Sequence, residues 1–163
     1  MGGNRNFICN EQGQEILNSP KYFDMPIVMA RDLRKISLYQ FSGAPVYHCE
    51  THENIVGLSL YLRTNIAPDT MKHSFGLIKN VNGRLEWIYD LCVYPKHQRS
   101  HIDKKSKQVF YGPHAHCLSD AYRISFDYEI EEWEMWFNLF AKNINLRIDS
   151  SDIMAPLAGE LLL

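Results

Sequence analysis

Residues 71–94, MKHSFGLIKNVNGRLEWIYDLCVY, decide the fold. Asn82-Gly83 sits between two β-rich runs, Met71–Asn80 and Arg84–Tyr94. Both turn residues tolerate the positive φ angles of a type I′ turn, so the segment predicts a tight antiparallel hairpin. Upstream, Asn54–Thr64 (NIVGLSLYLRT) alternates: Val56, Leu58, Leu60 and Leu62 share one face, and Ile55, Gly57, Ser59, Tyr61 and Arg63 the other. A period of two is the strand signature. Ile36–Phe41, Val46–Cys49 and Val109–Cys117 (interrupted at Gly112-Pro113) read as further strands, and Ile144–Ile148 as a last edge strand.

Working outward, Glu129–Asn143 (EIEEWEMWFNLFAKN) predicts the main helix. Ile130, Trp133, Phe137, Phe140 and Ile144 recur at helical spacing, widened by Trp136, with acids first and Lys142 near the end. Glu11–Leu17 predicts a short helix stopped by Ser19-Pro20, and Pro26–Leu33 fits helix or strand. The expected architecture is α+β: a mostly antiparallel sheet of about five or six strands with the amphipathic 129–143 helix packed on it. Residues 1–163 read as one domain. Segments 1–10 and 150–163 are expected to be loosely ordered or to act as interaction tails. The second ends in three leucines, which suggests docking on its own domain or a homodimer.

The chain is 45% hydrophobic with a formal charge of −2, so nothing global directs it to nucleic acid or membrane. The balance hides two patches. Pro95–Gln108 carries Lys96, Arg99, Lys104, Lys105 and Lys107 against Asp103 alone; Asp127–Glu134 carries five acids and no cation. The four cysteines lack a CxxC pair, and no stretch has membrane-span length; reduced thiols in a cytoplasmic protein are expected.

Four of the seven histidines, His97, His101, His114 and His116, fall within this central region. His114 and His116 are two apart, so on a strand both leave the same face. Two chemistries suit them, beside the plainer reading in which they are packing or hydrogen-bonding groups. In metal-independent phosphodiester cleavage, His97, His101, His114 and His116 form the acid/base set. Arg99 then clamps phosphate, Tyr111 stacks or donates, and Lys96, Lys104, Lys105 and Lys107 contact the backbone of an RNA. This is the reading of a toxin-like endoribonuclease, with no cofactor. The alternative is zinc on His114 and His116, with Cys117, His97 or His101 as a third ligand and Asp90 or Asp103 behind. His48-Cys49 and His52 form a weaker candidate cluster that could meet the HAHC segment across the sheet. A non-enzymatic inhibitor of a host protein would instead use the acidic patch, Glu129, Glu131 and Glu132.

From Trp87 to Ile148 the chain carries Asp90 on a strand, His97 in a polar loop, Gly112-Pro113-His114-x-His116, Tyr122, and the aromatics Trp133, Trp136, Phe137 and Phe140. In this it resembles a group of uncharacterised small bacterial and prophage-encoded proteins. Its loop departs from theirs, reading SHIDKKSKQ where they carry an Asn-Pro-Asp-Gly turn. The resemblance implies an accessory protein of the toxin–antitoxin or phage-conflict kind and brings no activity with it.

Overall fold

A computed structural model describes residues 7–8, 11–67, 70–149 and 152–157. Helix α1 (Glu11–Asn18) leads into short strands β1 (Lys21–Phe23), β2 (Ile27–Val28) and β3 (Ala30–Arg31). Then come β4 (Leu38–Gly43), β5 (Tyr47–His48) and the three long strands β6 (Leu58–Ala67), β7 (Thr70–Val81) and β8 (Arg84–Val93). After β9 (Arg99–Ile102), β10 (Val109–Tyr111), β11 (His114–Cys117) and β12 (Asp120–Arg123), helix α2 (Trp133–Asn143) precedes β13 (Leu146–Ile148) and β14 (Ile153–Met154).

The fold is α+β as expected, but its main sheet has seven strands rather than five or six, in the order β12-β11-β8-β7-β6-β4-β3. Every pairing in it is antiparallel. Two of its strands are not read as such in the sequence: β3, within a segment that fits helix or strand, and β12, a four-residue return too short and polar to show a period. The expected strands at 46–49 and 144–148 pair instead in the separate β13-β1-β5 sheet. The Asn-Gly hairpin is present, with φ of 54° at Asn82 and 81° at Gly83. Val109–Cys117 is two strands, because Gly112 (φ 73°) turns the chain and sends β10 to pair with β9 while β11 joins the main sheet.

One face of the sheet is the core. Leu60 and Leu62 of β6, Phe75 and Leu77 of β7, Tyr89 and Leu91 of β8 and Ala115 of β11 are all buried there. Helix α2 closes it, Phe75 lying 5.9 Å from the Phe140 ring, 6.2 Å from Phe137 and 5.5 Å from Trp133. Full burial of such aromatic side chains supplies the largest apolar transfer terms in the molecule. The helix begins at Trp133, four residues after the expected Glu129. Residues 129–132 are held otherwise: Glu132 Oε2 accepts from the Glu129 N–H at 2.7 Å, and Trp136 Nε1 donates to the Glu129 carbonyl. Ile130 is drawn to the sheet instead, its carbonyl accepting from His73 Nε2 at 2.6 Å. His73 Nδ1 then accepts from the Thr64 hydroxyl at 2.9 Å, and burial lowers this imidazole's pKa to about 4.

The ends of the helices meet at one buried cation. Lys21 is fully buried and its ammonium donates to the carbonyls of Leu17 and Ile144, at the C-terminal ends of α1 and α2. Cations are favoured at such ends by the helix dipoles; burial nevertheless lowers the Lys21 pKa to about 8. Within the described parts of the two end segments, Ile8 N donates to the Trp87 carbonyl, and β14 pairs in parallel with β2. The three C-terminal leucines lie outside the described residues, as does the dimer expectation attached to them.

Candidate metal centre

At its β8–β11 end, the opposite face of the same sheet carries polar side chains under a covering hairpin. Antiparallel register sets His114 beside Cys92 and His116 beside Asp90, across β11 and β8. Alternation then puts all four side chains on the face away from α2. One donor atom each from Cys92, His114 and His116 lie within 4.8 Å of one another. The two Nε2 atoms of His114 and His116 are 3.2 Å apart. Below them Asp90 is fully buried and accepts from the Ser74 hydroxyl at 2.8 Å and the Cys92 thiol at 3.2 Å.

The β9–β10 hairpin folds over this cluster. His101 lies parallel to His114 (centroids 5.5 Å, 12°) and edge-on to His116 (4.6 Å, 87°). Phe110, paired with His101 across the hairpin, stacks against both His101 and His114. Phe7 packs on His116 from the other side at 5.4 Å. Desolvation under this cover lowers the His101 pKa, and Lys104 adds to the effect while Asp103 opposes it. At the hairpin turn Asp103 Oδ2 accepts from the N–H and hydroxyl of Ser106, which keeps its carboxyl below the ordinary carboxylate range.

Three of the four expected imidazoles therefore converge. His97 does not: it sits in the exposed turn between β8 and β9 and lines a separate cleft with Tyr94, Tyr128 and Trp136. Cys117 is also excluded as a ligand. One residue beyond His116, it points to the opposite face and packs on the core, where burial raises its pKa. Cys92 takes its place. The available clue was that Asp90 and Cys92, like His114 and His116, are two apart, so each pair shares a face; which strands would neighbour was not readable. His48 and Cys49 lie on or beside β5, in the separate β13-β1-β5 sheet. His52 there contacts the Tyr22 hydroxyl through Nδ1 at 3.3 Å, so this group does not meet the HAHC segment.

Tyr111 pairs with Arg99 on the hairpin and is exposed; its neighbour Phe110 makes the contacts to the imidazoles. Lys104, Lys105 and Lys107 are exposed around the hairpin turn, and Lys96 pairs with Asp127 at 3.7 Å. Glu131 is exposed before α2, whereas Glu129 and Glu132 are engaged in the turn described above. Tyr122 bonds Tyr89, hydroxyl to hydroxyl, at 3.0 Å.

Among the described residues no helix is long and apolar enough to cross a membrane. No protein-family model, curated protein or solved structure matches the chain. Fold and site together define a strand-built α+β protein whose Cys92/His114/His116 cluster could hold a metal ion.

Proposed function

We propose that the protein binds a divalent transition metal, zinc before others, through Cys92 Sγ and the Nε2 atoms of His114 and His116. The observation that carries this is the spacing. Two nitrogens bound to one tetrahedral zinc at about 2.0–2.1 Å are separated by about 3.3–3.4 Å, and the His114 and His116 nitrogens lie 3.2 Å apart. One thiolate with two imidazoles is a donor set that suits zinc over hard cations. Asp90 accepts from the Cys92 thiol at 3.2 Å and would take up its proton when the sulfur binds metal as thiolate. Three protein ligands leave a fourth position, the pattern of zinc centres that activate a bound water or substrate. Elemental analysis after dialysis against zinc is expected to give one ion per chain, abolished in Cys92→Ser and in His114→Ala. Zinc uptake unaltered by both substitutions, or absent from the wild type, refutes the assignment.

A second reading is metal-independent phosphodiester cleavage, favoured by the gathering of His101, His114 and His116 beneath a cationic hairpin. A 3.2 Å gap leaves no room for a phosphate oxygen between His114 and His116, so His101 must act opposite that pair. This reading expects RNA decay that persists in a chelator and disappears in His101→Ala. Decay that stops in the chelator, or survives His101→Ala, contradicts it.

A further inference from the structure

We infer that the molecule binds single-stranded nucleic acid, with one base seated in the cleft beside the metal centre and the backbone passing along the β9–β10 hairpin. The inference deepens the metal reading, on which it rests only for placing the nucleic-acid backbone beside the Cys92/His114/His116 cluster.

The cleft has a volume of about 230 Å³. That is below the range of about 300–1,000 Å³ typical for drug-sized ligands, and suits one flat ring. Its walls include Tyr94, Tyr128 and Trp136, with Pro113 on one side. Phe126, half-exposed, stacks on Tyr128 at 5.4 Å and 22°, extending the aromatic surface beyond the cleft for a neighbouring base. Tyr94 joins the two sites, since its ring also packs on His114 at 5.9 Å.

Charge names the rest of the ligand. Arg99, Lys104, Lys105 and Lys107 are exposed, and among the described residues none has a carboxylate partner. A ligand matching both features needs flat rings and regularly placed negative charge, which is the chemistry of an unpaired nucleic-acid strand. A polyanion without rings leaves the cleft empty, and an apolar peptide leaves the hairpin cations unmatched. Glu129 at the cleft rim repels a phosphate but accepts from an exocyclic amine. Cytosine carries such an amine and uracil does not, so the cleft prefers the former.

Fluorescence anisotropy of the full chain with labelled hexacytidylate and hexauridylate tests this. Hexacytidylate is expected to bind more tightly. Tyr128→Ala is expected to weaken it about tenfold or more, since stacking is lost. The fold of that variant is checked by thermal melting, and Phe126→Ala, at an exposed position, gives a smaller loss in the same direction. Reversing the charge of Lys104, Lys105 and Lys107 together is expected to reduce the slope of log affinity against log salt by about 2. Equal binding of both oligomers, unchanged by Tyr128→Ala and Phe126→Ala, overturns the inference, as does failure of hexacytidylate to bind. Cytidine preference retained in Cys92→Ser supports it even where zinc uptake fails, whereas zinc uptake without oligonucleotide binding defeats it alone.

Discussion

The two faces of the main sheet are made from the same strands, residue by alternate residue, and they differ in almost every physical respect. On β11, Ala115 and Cys117 turn to the core beneath α2, while His114 and His116 turn to the hairpin. On β8, Tyr89 and Leu91 pack on one side while Asp90 and Cys92 gather on the other. At the cluster itself the polar face is nearly dry, with Asp90 0% and His114 2% exposed, while His101 and His116 are part-buried. Burying such groups costs several kcal/mol unless each is bonded or ligating. Most core positions need only shape and apolarity, the Thr64–His73–Ile130 bridge excepted. On the other face Asp90, Cys92, His114 and His116 all need specific partners, the requirement that the metal proposal meets.

Substitutions can separate the faces, beginning with the largest effect. Phe75→Ala removes the ring at the centre of the α2 contact and is expected to cost about 4 kcal/mol in a denaturant titration. Zinc stoichiometry of the remaining folded protein should not change. A loss below about 1 kcal/mol would mean α2 is not held as described.

Next comes acid sensitivity on the core side. The His73 pKa of about 4 lies below the ordinary value, so the unfolded chain takes up this proton first as pH falls. Its contribution is intact above pH 6.5 and is lost between 6.5 and 4, on the order of 3 kcal/mol. Denaturant titrations across that window should show the decline in the wild type and a flatter profile in His73→Gln. Parallel profiles would show that the Thr64–His73–Ile130 bridge is not the cause.

The two cysteines give the sharpest contrast. Cys92→Ser is expected to reduce zinc affinity about 100-fold or more while leaving the melting temperature of the metal-free protein nearly unchanged. Cys117→Ser is expected to do the reverse, costing about 1 kcal/mol of stability through a hydroxyl placed against the core, with zinc affinity intact. Metal loss in Cys117→Ser would invert the assignment of faces.

Much of the core face was legible in the sequence because it depends on local signals. Asn82-Gly83 forces a hairpin whatever surrounds it, and the alternation of Leu58, Leu60 and Leu62 announces a buried side. The HAH pair was legible for the same reason. What could not be read was any relation set by long-range pairing. Cys92 sits within an apolar run, Leu91-Cys92-Val93, and only the β8–β11 register, formed across a 20-residue excursion, brings it to His114. His97 looked equivalent to His101 by spacing, but β9 begins at Arg99 and carries only His101 over the cluster. Phe110 stayed hidden behind the more obviously functional Tyr111, since a bulge in the hairpin decides which ring turns inward.

Whether Cys92, His114 and His116 form one metal centre is decided by cobalt titration of the metal-free protein followed by absorption spectroscopy. Saturation is expected at one cobalt per chain, with a near-ultraviolet thiolate-to-cobalt band and visible absorption of tetrahedral intensity, and with the thiolate band lost in Cys92→Ser. A weak octahedral spectrum without a thiolate band, or a thiolate band that survives Cys92→Ser, would contradict it.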